Sequence, residues 1–582
     1  MNIDLPGEWH RGPFGTPDAS RAGAQDDYFP VVGASPALVG ANKLRERVII
    51  GKKGAGKTIY LRALLDALPK LGESSVDPSG ENWFVFREVF NLETLEVLGV
   101  SRLAKQLQAS LLRSSDIYIN PKAQSREVWT RVWHNAVVAA LYILVFSPGA
   151  QGRFREVAER LLEHARWRQA NEGIRTFLKS LPRTPSPVLM IRYFHSQARG
   201  KFNRLRPFLD DPRWDEAYLL VCEASRFLPP IALFVDAIDD DFDAAPEAWL
   251  ECQEGLFRCI FKILNRADSF SNRVHIIVAL RDIVYSSLLN SEHASRYLTD
   301  SHIRYLAWDA AAARTFLVEK IRRLSPSDVA RPDLDVERYP IARWLGFDRL
   351  NNPKRGSDET VLDYVLRHTR LLPRDIVILG NAVCNEQQLR SKRGEVFGEA
   401  KLRQVVSDVA RSTTREALTS CINEHLLSMD YVAEALLHTP PPDFNADGGA
   451  ENPDDGVRRV LPFEREIRGA LESRVAHALV QVGKEKFSRA ELIAALSKHG
   501  LIAEEELGVR GRASFFRFDN IFWRHGLIAF QSNDGGTFRW RFHWRGTPDR
   551  QELPEDAPLY GFHPGLIDVF PSIRSMGHDP VF

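Results

Sequence analysis

The residues Gly51-Lys52-Lys53-Gly54-Ala55-Gly56-Lys57-Thr58 fit the spacing GxxxxGK[ST]. Glycines at these positions let the backbone wrap tightly, so that its N–H groups converge on one point, where an anion is held. The helix that follows presents its positive N-terminal end to the same anion. In a loop of this kind Lys57 reaches the β- and γ-phosphates of a nucleotide, and the Thr58 hydroxyl ligates Mg²⁺. Gly51, Gly54, Ala55, Gly56, Lys57 and Thr58 are therefore the candidate phosphate-binding residues.

Magnesium held against a phosphate calls for a carboxylate as well. The apolar run Ile231-Ala232-Leu233-Phe234-Val235 ends on one, Asp236. Asp239 and Asp240 follow in the pattern D-x-x-D-D, and a carboxylate there can orient or deprotonate an attacking water. The spacing does not choose between them. A third apolar run, Val274 to Leu280, ends at Arg281.

These residues need elements to position them. Arg47-Val48-Ile49-Ile50 reads as a short strand running into Gly51, with a helix from Thr58 to about Leu68 closed by Pro69. Trp83 to Phe86 reads as another buried strand. Strands separated by helical stretches predict a parallel α/β sheet. Residues from about 92 to 228 carry long helical periodicity and read as an insertion. Within it, residues 153–206 hold 13 Lys or Arg against 4 Asp or Glu, a solvated set of helix faces or a surface for a phosphate-rich or acidic partner. Residues from about 308 to 435 are helical again and read as a lid. Thr439 to Gly456 is a linker of Pro, Gly and Asp.

Beyond the linker, Ser488 and Glu491 form a capping box that starts a helix. A second helical stretch, about Ala513 to His525, leads to a strand from Leu527 to Gln531. The turn Asn533-Asp534-Gly535-Gly536 then opens a hairpin whose return strand is Thr537 to Trp544. Its alternation places Phe538, Trp540, Phe542 and Trp544 on one face and Arg539, Arg541, His543 and Arg545 on the other. Helix, helix and hairpin resemble a winged-helix module, in which a basic wing grips DNA phosphate or the whole module packs on a partner domain. Tyr560 to Phe582 reads either as a loose tail or as a docking segment.

Composition narrows the remaining choices. Lys plus Arg number 77 and Asp plus Glu 76, so no whole-chain field points to nucleic acid or membrane. The five cysteines show no CxxC spacing, which argues against zinc-ribbon and redox motifs and fits a cytoplasmic protein. No signal peptide is visible at the N-terminus, and the longest apolar stretch, Ala136 to Phe146, reads as a buried helix rather than a membrane span.

Val235-Asp236-Ala237-Ile238-Asp239-Asp240 resembles the acidic strand of STAND-type signalling ATPases, with Ala237 for the usual Gly and Asp240 for the usual Glu. Ile277 to Asp282 looks like their next landmark, which implies that Arg281 senses the γ-phosphate. Leu371-Leu372-Pro373-Arg374-Asp375 resembles both the STAND lid motif and the sensor-2 segment of AAA+ ATPases of the origin-recognition kind, which implies that Arg374 touches the phosphates. Arg296 stands where AAA+ rings carry an arginine finger, and reads otherwise as a solvent-exposed helix arginine. Tyr28 or Phe29, upstream of the first strand, reads as an ordinary packing aromatic or as one that stacks on adenine.

The resemblance implies an α/β fold: a parallel-sheet P-loop NTPase core with a large helical insertion, a helical lid and a C-terminal winged-helix domain. The expected divisions are a lead-in at 1–40, the core at 41–306, the lid at 307–438, the linker at 439–456, the winged helix at 457–548 and a tail at 549–582. It further implies a switch that binds and hydrolyses ATP with Mg²⁺, acting with itself or a protein effector, in the setting of bacterial antiviral defence. The alternative is a DNA-binding AAA+ ATPase of initiator or loader type, gripping DNA through Arg539, Arg541 and Arg545. A P-loop metabolite kinase is a third reading, which the lid and the winged helix argue against.

Overall fold

Strands that are apolar along their whole length must be covered on both faces, and these are. Val48–Gly51 (β1), Ile231–Asp236 (β3) and Val274–Arg281 (β4) are buried almost throughout. With Phe84–Val89 (β2) and Ile303–Tyr305 (β5) they form a five-stranded sheet ordered β2-β3-β4-β1-β5, every pair parallel. The protein is thus mixed α/β with a parallel sheet and mainly helical elsewhere. The structure, a computed structural model, describes residues 12–17, 46–68, 84–89, 121–179, 182–197, 202–236, 246–266, 268–289, 301–353, 356–426, 454–503, 514, 516–534, 537–541 and 552–574.

Alternate residues of each strand serve different layers, as a period of two demands. Val48, Ile50, Leu233, Val235, Ile276 and Val278 join a core built with the insertion helices. Ile49, Ala232, Phe234, Ile277 and Ala279 join a second core on the opposite face. Lys57–Ala67 (α1) packs on that second face.

The insertion comprises Pro121–Phe146 (α2), Gly152–Leu162 (α3), Ala165–Phe177 (α4), Pro187–Gln197 (α5), Phe202–Leu209 (α6) and Arg213–Ser225 (α7). Its centre is α2, packed along Pro246–Leu264 (α8) so closely that a Cβ on Gly255 would lie 2.5 Å from that of Trp129. Among the described residues, Arg126–Phe146 is the one stretch long and apolar enough to cross a membrane, yet 83% of its apolar window is buried inside the protein. Ser269–Arg273 (α9) and Asp282–Leu289 (α10) flank β4.

The region expected as a lid holds Ala310–Arg322 (α11), Pro340–Leu345 (α12), Val361–Arg367 (α13), Pro373–Lys392 (α14) and Glu399–Leu426 (α15). It departs from the all-helical expectation by one antiparallel pair, Arg349–Asn352 (β6) with Ser357–Thr360 (β7). Part of the lead-in is also packed. Phe14 is 1% exposed, its N–H donates to Asn381 Oδ1 at 2.8 Å, and its ring lies 5.2 Å from that of Trp344.

The C-terminal part runs Asp454–Val482 (α16), Lys486–Phe487 (β8), Arg489–Lys498 (α17), Phe518–Arg524 (α18), Ile528–Asp534 (β9), Thr537–Arg541 (β10), Tyr560–Phe562 (β11) and Pro564–Val569 (α19). The first of these helices begins inside the stretch expected as linker; the rest of that stretch lies outside the described residues. The sheet order β10-β9-β11-β8 puts a strand from the expected tail between two strands of the module. The described tail residues are therefore docked rather than loose, and α19 packs against α15, where a Cβ on Gly565 would lie 2.2 Å from Thr414 Oγ1.

Candidate functional site

Parallel pairing brings the C-terminal ends of β1, β3 and β4 to one edge of the sheet, where open α/β sheets bind ligands. Gly51 pairs in register with Arg281. Asp236 stands one residue past Val235, which pairs with Val278. It lies two strands from β1, about 10 Å across the sheet at the usual strand spacing.

The loop from Gly51 to Gly56 turns twice through left-handed backbone, with φ of 88° at Gly54 and 90° at Gly56. Gly56 is the N-cap of α1, and no side chain caps the helix there. Lys57 is 9% exposed, and its Nζ donates to the carbonyls of Gly51 at 3.1 Å and Lys52 at 3.2 Å. Its charge is thereby drawn along the loop. Trp308 Nε1 donates to Ala55 O at 3.0 Å and pins the loop from the side.

Two further parts of the chain touch this loop. The Arg374 N–H donates to Gly54 O at 3.3 Å, and a Cβ on Gly54 would lie 2.8 Å from Arg374 Cβ. The Lys52 ammonium donates to the Arg524 carbonyl at the end of α18. Burial lowers the Lys52 pKa to about 8, with Asp282 and Glu424 working against that shift. A pocket at this junction is lined by Lys52, Lys53, Arg281, Arg370, Glu416 and Glu424, among others.

The arginines of the lid segment divide by their acidic partners. Arg367 pairs with Glu359, and Arg370 is held bidentately by Asp375 at 2.9 Å and 2.9 Å. Arg374 Nη1 donates to Glu416 Oε1 at 2.9 Å, and Lys53 Nζ lies 3.3 Å from the same oxygen. Burial would raise the Glu416 pKa, but Arg374, then Lys53 and Arg370, hold it below the ordinary value. Between Arg370 and this group, Leu371 is fully buried with φ of 57°, an uncommon backbone for a branched residue and one that concentrates at ligand clamps.

On another wall of the pocket, Glu424 accepts from Arg524 Nε at 3.0 Å and lies 2.6 Å from His525 Nε2. Burial opposes its charge, yet Arg524 and His525 outweigh that and hold the carboxyl down to about 2. Sequence reasoning missed Glu416, Glu424, Arg524 and His525. They sit on helices whose apolar pattern was plain, but nothing in that pattern says which distant loop the polar face meets.

Of the residues expected at the site, Gly51, Gly54, Ala55, Gly56, Lys57, Thr58, Arg281 and Arg374 come together around one loop, and Asp236 stands at the same sheet edge. Asp239, Asp240, Arg296, Tyr28, Phe29 and Arg545 lie outside the described residues. Arg539 lies in β10; Arg541 in the same strand donates from Nε to Ser532 Oγ at 3.1 Å. Among the described residues no group of three or more His, Cys, Asp or Glu is arranged to hold a metal ion. Thr58 and Asp236 offer a hydroxyl and a carboxylate, hard oxygen donors of the kind Mg²⁺ takes alongside phosphate oxygens.

In the basic insertion several arginines are already engaged. Arg153 donates to Phe227 O at 3.3 Å, Arg155 pairs with Glu159, and Arg160 and Arg166 lie over the rings of Phe227 and Trp167.

No family model matches the chain, and no curated protein or solved structure matches it significantly.

Proposed function

We propose that this protein is a nucleotide-driven switch that binds ATP at the Gly51–Thr58 loop and hydrolyses it with Mg²⁺. The observation that carries the proposal is the junction at that loop. Its backbone and side chains meet the lid through Arg374 and Glu416 and the C-terminal module through Arg524. A ligand seated in the loop therefore acts on contacts that join three parts of the chain, and differential contact is what shifts a conformational equilibrium.

In this reading the loop N–H groups and Lys57 hold the phosphates, Arg281 lies level with the loop as the γ-phosphate sensor, and Arg374 approaches from the lid. Thr58 and Asp236 would hold Mg²⁺, which when bound neutralises charge on the phosphate oxygens. Asp239 or Asp240 would orient the attacking water. The resemblance to STAND ATPases supports assembly with a second copy or a protein effector, and a role in antiviral defence.

The DNA-binding AAA+ reading draws less support. A winged helix reads DNA with its second module helix in the groove. The element in that place, α18, is buried at every position from Phe518 to Arg524.

The test is steady-state ATP turnover by the full chain, with and without DNA. We expect Lys57→Ala to reduce turnover at least 100-fold on the scale of lost transition-state charge stabilisation, with one of Asp239→Ala and Asp240→Ala doing the same. Normal turnover by Lys57→Ala would sink the proposal. Salt-sensitive DNA binding, lost on charge reversal of Arg539 and Arg541, would favour the second reading.

A further inference from the structure

Resting on the reading of the loop as a phosphate site, we propose that Glu416 is a built-in competitor for the nucleotide's terminal phosphate. Its carboxylate holds cations that this phosphate needs, and so weakens binding most for the most highly charged nucleotide.

The geometry is that of an anion already seated between two parts of the chain. One oxygen, Glu416 Oε1, lies 3.3 Å from Lys53 of the loop and 2.9 Å from Arg374 of α14. Both cations are fixed to the loop, since Lys53 belongs to it and the Arg374 backbone donates to Gly54. Arg281 and Arg370 line the same pocket. A phosphoryl group held by Lys53 and Arg374 would stand where the carboxylate now stands.

Asp282 lines the same pocket, and two other carboxylates nearby are committed to cations of their own. Asp375 forks onto Arg370, and Glu424 onto Arg524 and His525. Exposure separates the cases. The Glu424 side chain is 3% exposed, so moving it off its partners would strand a buried charge. The Glu416 side chain is 31% exposed and that of Lys53 is 43%, so Glu416 can turn to water at small cost.

Its backbone cannot retreat as easily. Thr414, two residues away on α15, is wedged against Gly565, and Ser407 Oγ donates to Asp568 Oδ1 at 3.0 Å. Once displaced, the carboxylate stays close to the incoming phosphate unless α15 and the C-terminal segment shift together. Like charges a few ångströms apart near a protein surface weaken binding by about tenfold or more. The penalty grows with the charge of the ligand.

The experiment is equilibrium binding of ATP, ADP and AMP, at fixed Mg²⁺ and two salt concentrations, to the full chain and its variants. Glu416→Gln and Glu416→Ser should each bind ATP about tenfold more tightly than the native chain, ADP by less and AMP least. The gain should shrink at high salt. Glu386→Gln, which removes a carboxylate paired with Arg390 and Lys401 on the lid, should change nothing. If Lys57→Ala abolishes binding but neither Glu416 variant binds ATP more tightly, the competitor proposal falls and the phosphate site stands. Equal tightening for all three nucleotides would mean a packing role and would also overturn it. If neither the native chain nor the variants bind nucleotide, the phosphate site itself is wrong, and the proposal goes with it.

Discussion

Gly54 and Gly56 share one backbone conformation but not one surrounding. At Gly56 an added Cβ would meet nothing within 4 Å, so a substitution there suffers only the left-handed φ. At Gly54 the same φ is compounded by Arg374, whose Cβ lies 2.8 Å from where the new atom would be. Gly56→Ala should therefore cost about 1–2 kcal/mol. Gly54→Ala should cost measurably more, because α14 must give way as well. Urea denaturation midpoints of the two variants compare these directly; equal losses would mean that Arg374 is not seated on the loop in solution. The glycine spacing was legible in the sequence because it encodes a local turn. The place of Arg374 came from the resemblance alone, since by residue type Arg367, Arg370 and Arg374 look alike until their partners Glu359, Asp375 and Glu416 are known.

At the scale of elements, the strands were readable because full burial writes an uninterrupted apolar run, as in Ile276–Leu280. The three-residue β11 writes no such run. It lies between Pro/Gly-punctuated stretches and acquires its place from pairing Tyr560 with Phe487 and Phe530. The turn around Phe14 is a similar case. Its Gly and Pro residues read as an extended lead-in, while the one aromatic among them fills a gap against Trp344 and Gly380. Asn381 secures it twice, accepting from the Phe14 N–H and donating to Gly15 O at 2.9 Å. Phe14→Ala should destabilise the lid by about 3–5 kcal/mol, the range for emptying a buried aromatic site. Thermal unfolding checks this, and a loss under about 1 kcal/mol would show that the turn rests on the lid without supporting it.

Across the whole molecule, the C-terminal segment closes the chain back on the lid through His563. This residue is 1% exposed; its Nε2 lies 3.0 Å from Thr369 O, and its Nδ1 accepts from the Gly565 N–H at 3.0 Å. Both ring nitrogens are thus used by the neutral form. Burial is the main cause that lowers its pKa to about 4; His368 and Arg370 add to the shift, while the Thr369 carbonyl and Asp375 oppose it. A base whose folded pKa is depressed is stabilised above its unfolded value, and that stability is lost as pH falls towards the folded pKa. The window therefore runs from about 6.5 down to about 4. His134 and His425, also lowered to about 4 by burial, titrate in the same window, so unfolding there should take up close to three protons. His563→Gln should reduce that uptake by about one and flatten the stability profile accordingly, on the order of 3 kcal/mol less lost between neutral and acid pH. Chemical denaturation at a series of pH values measures the slope. An unchanged slope in the variant would show that the segment carrying α19 does not hold His563 neutral, and that its contact with Thr369 is looser than the geometry requires.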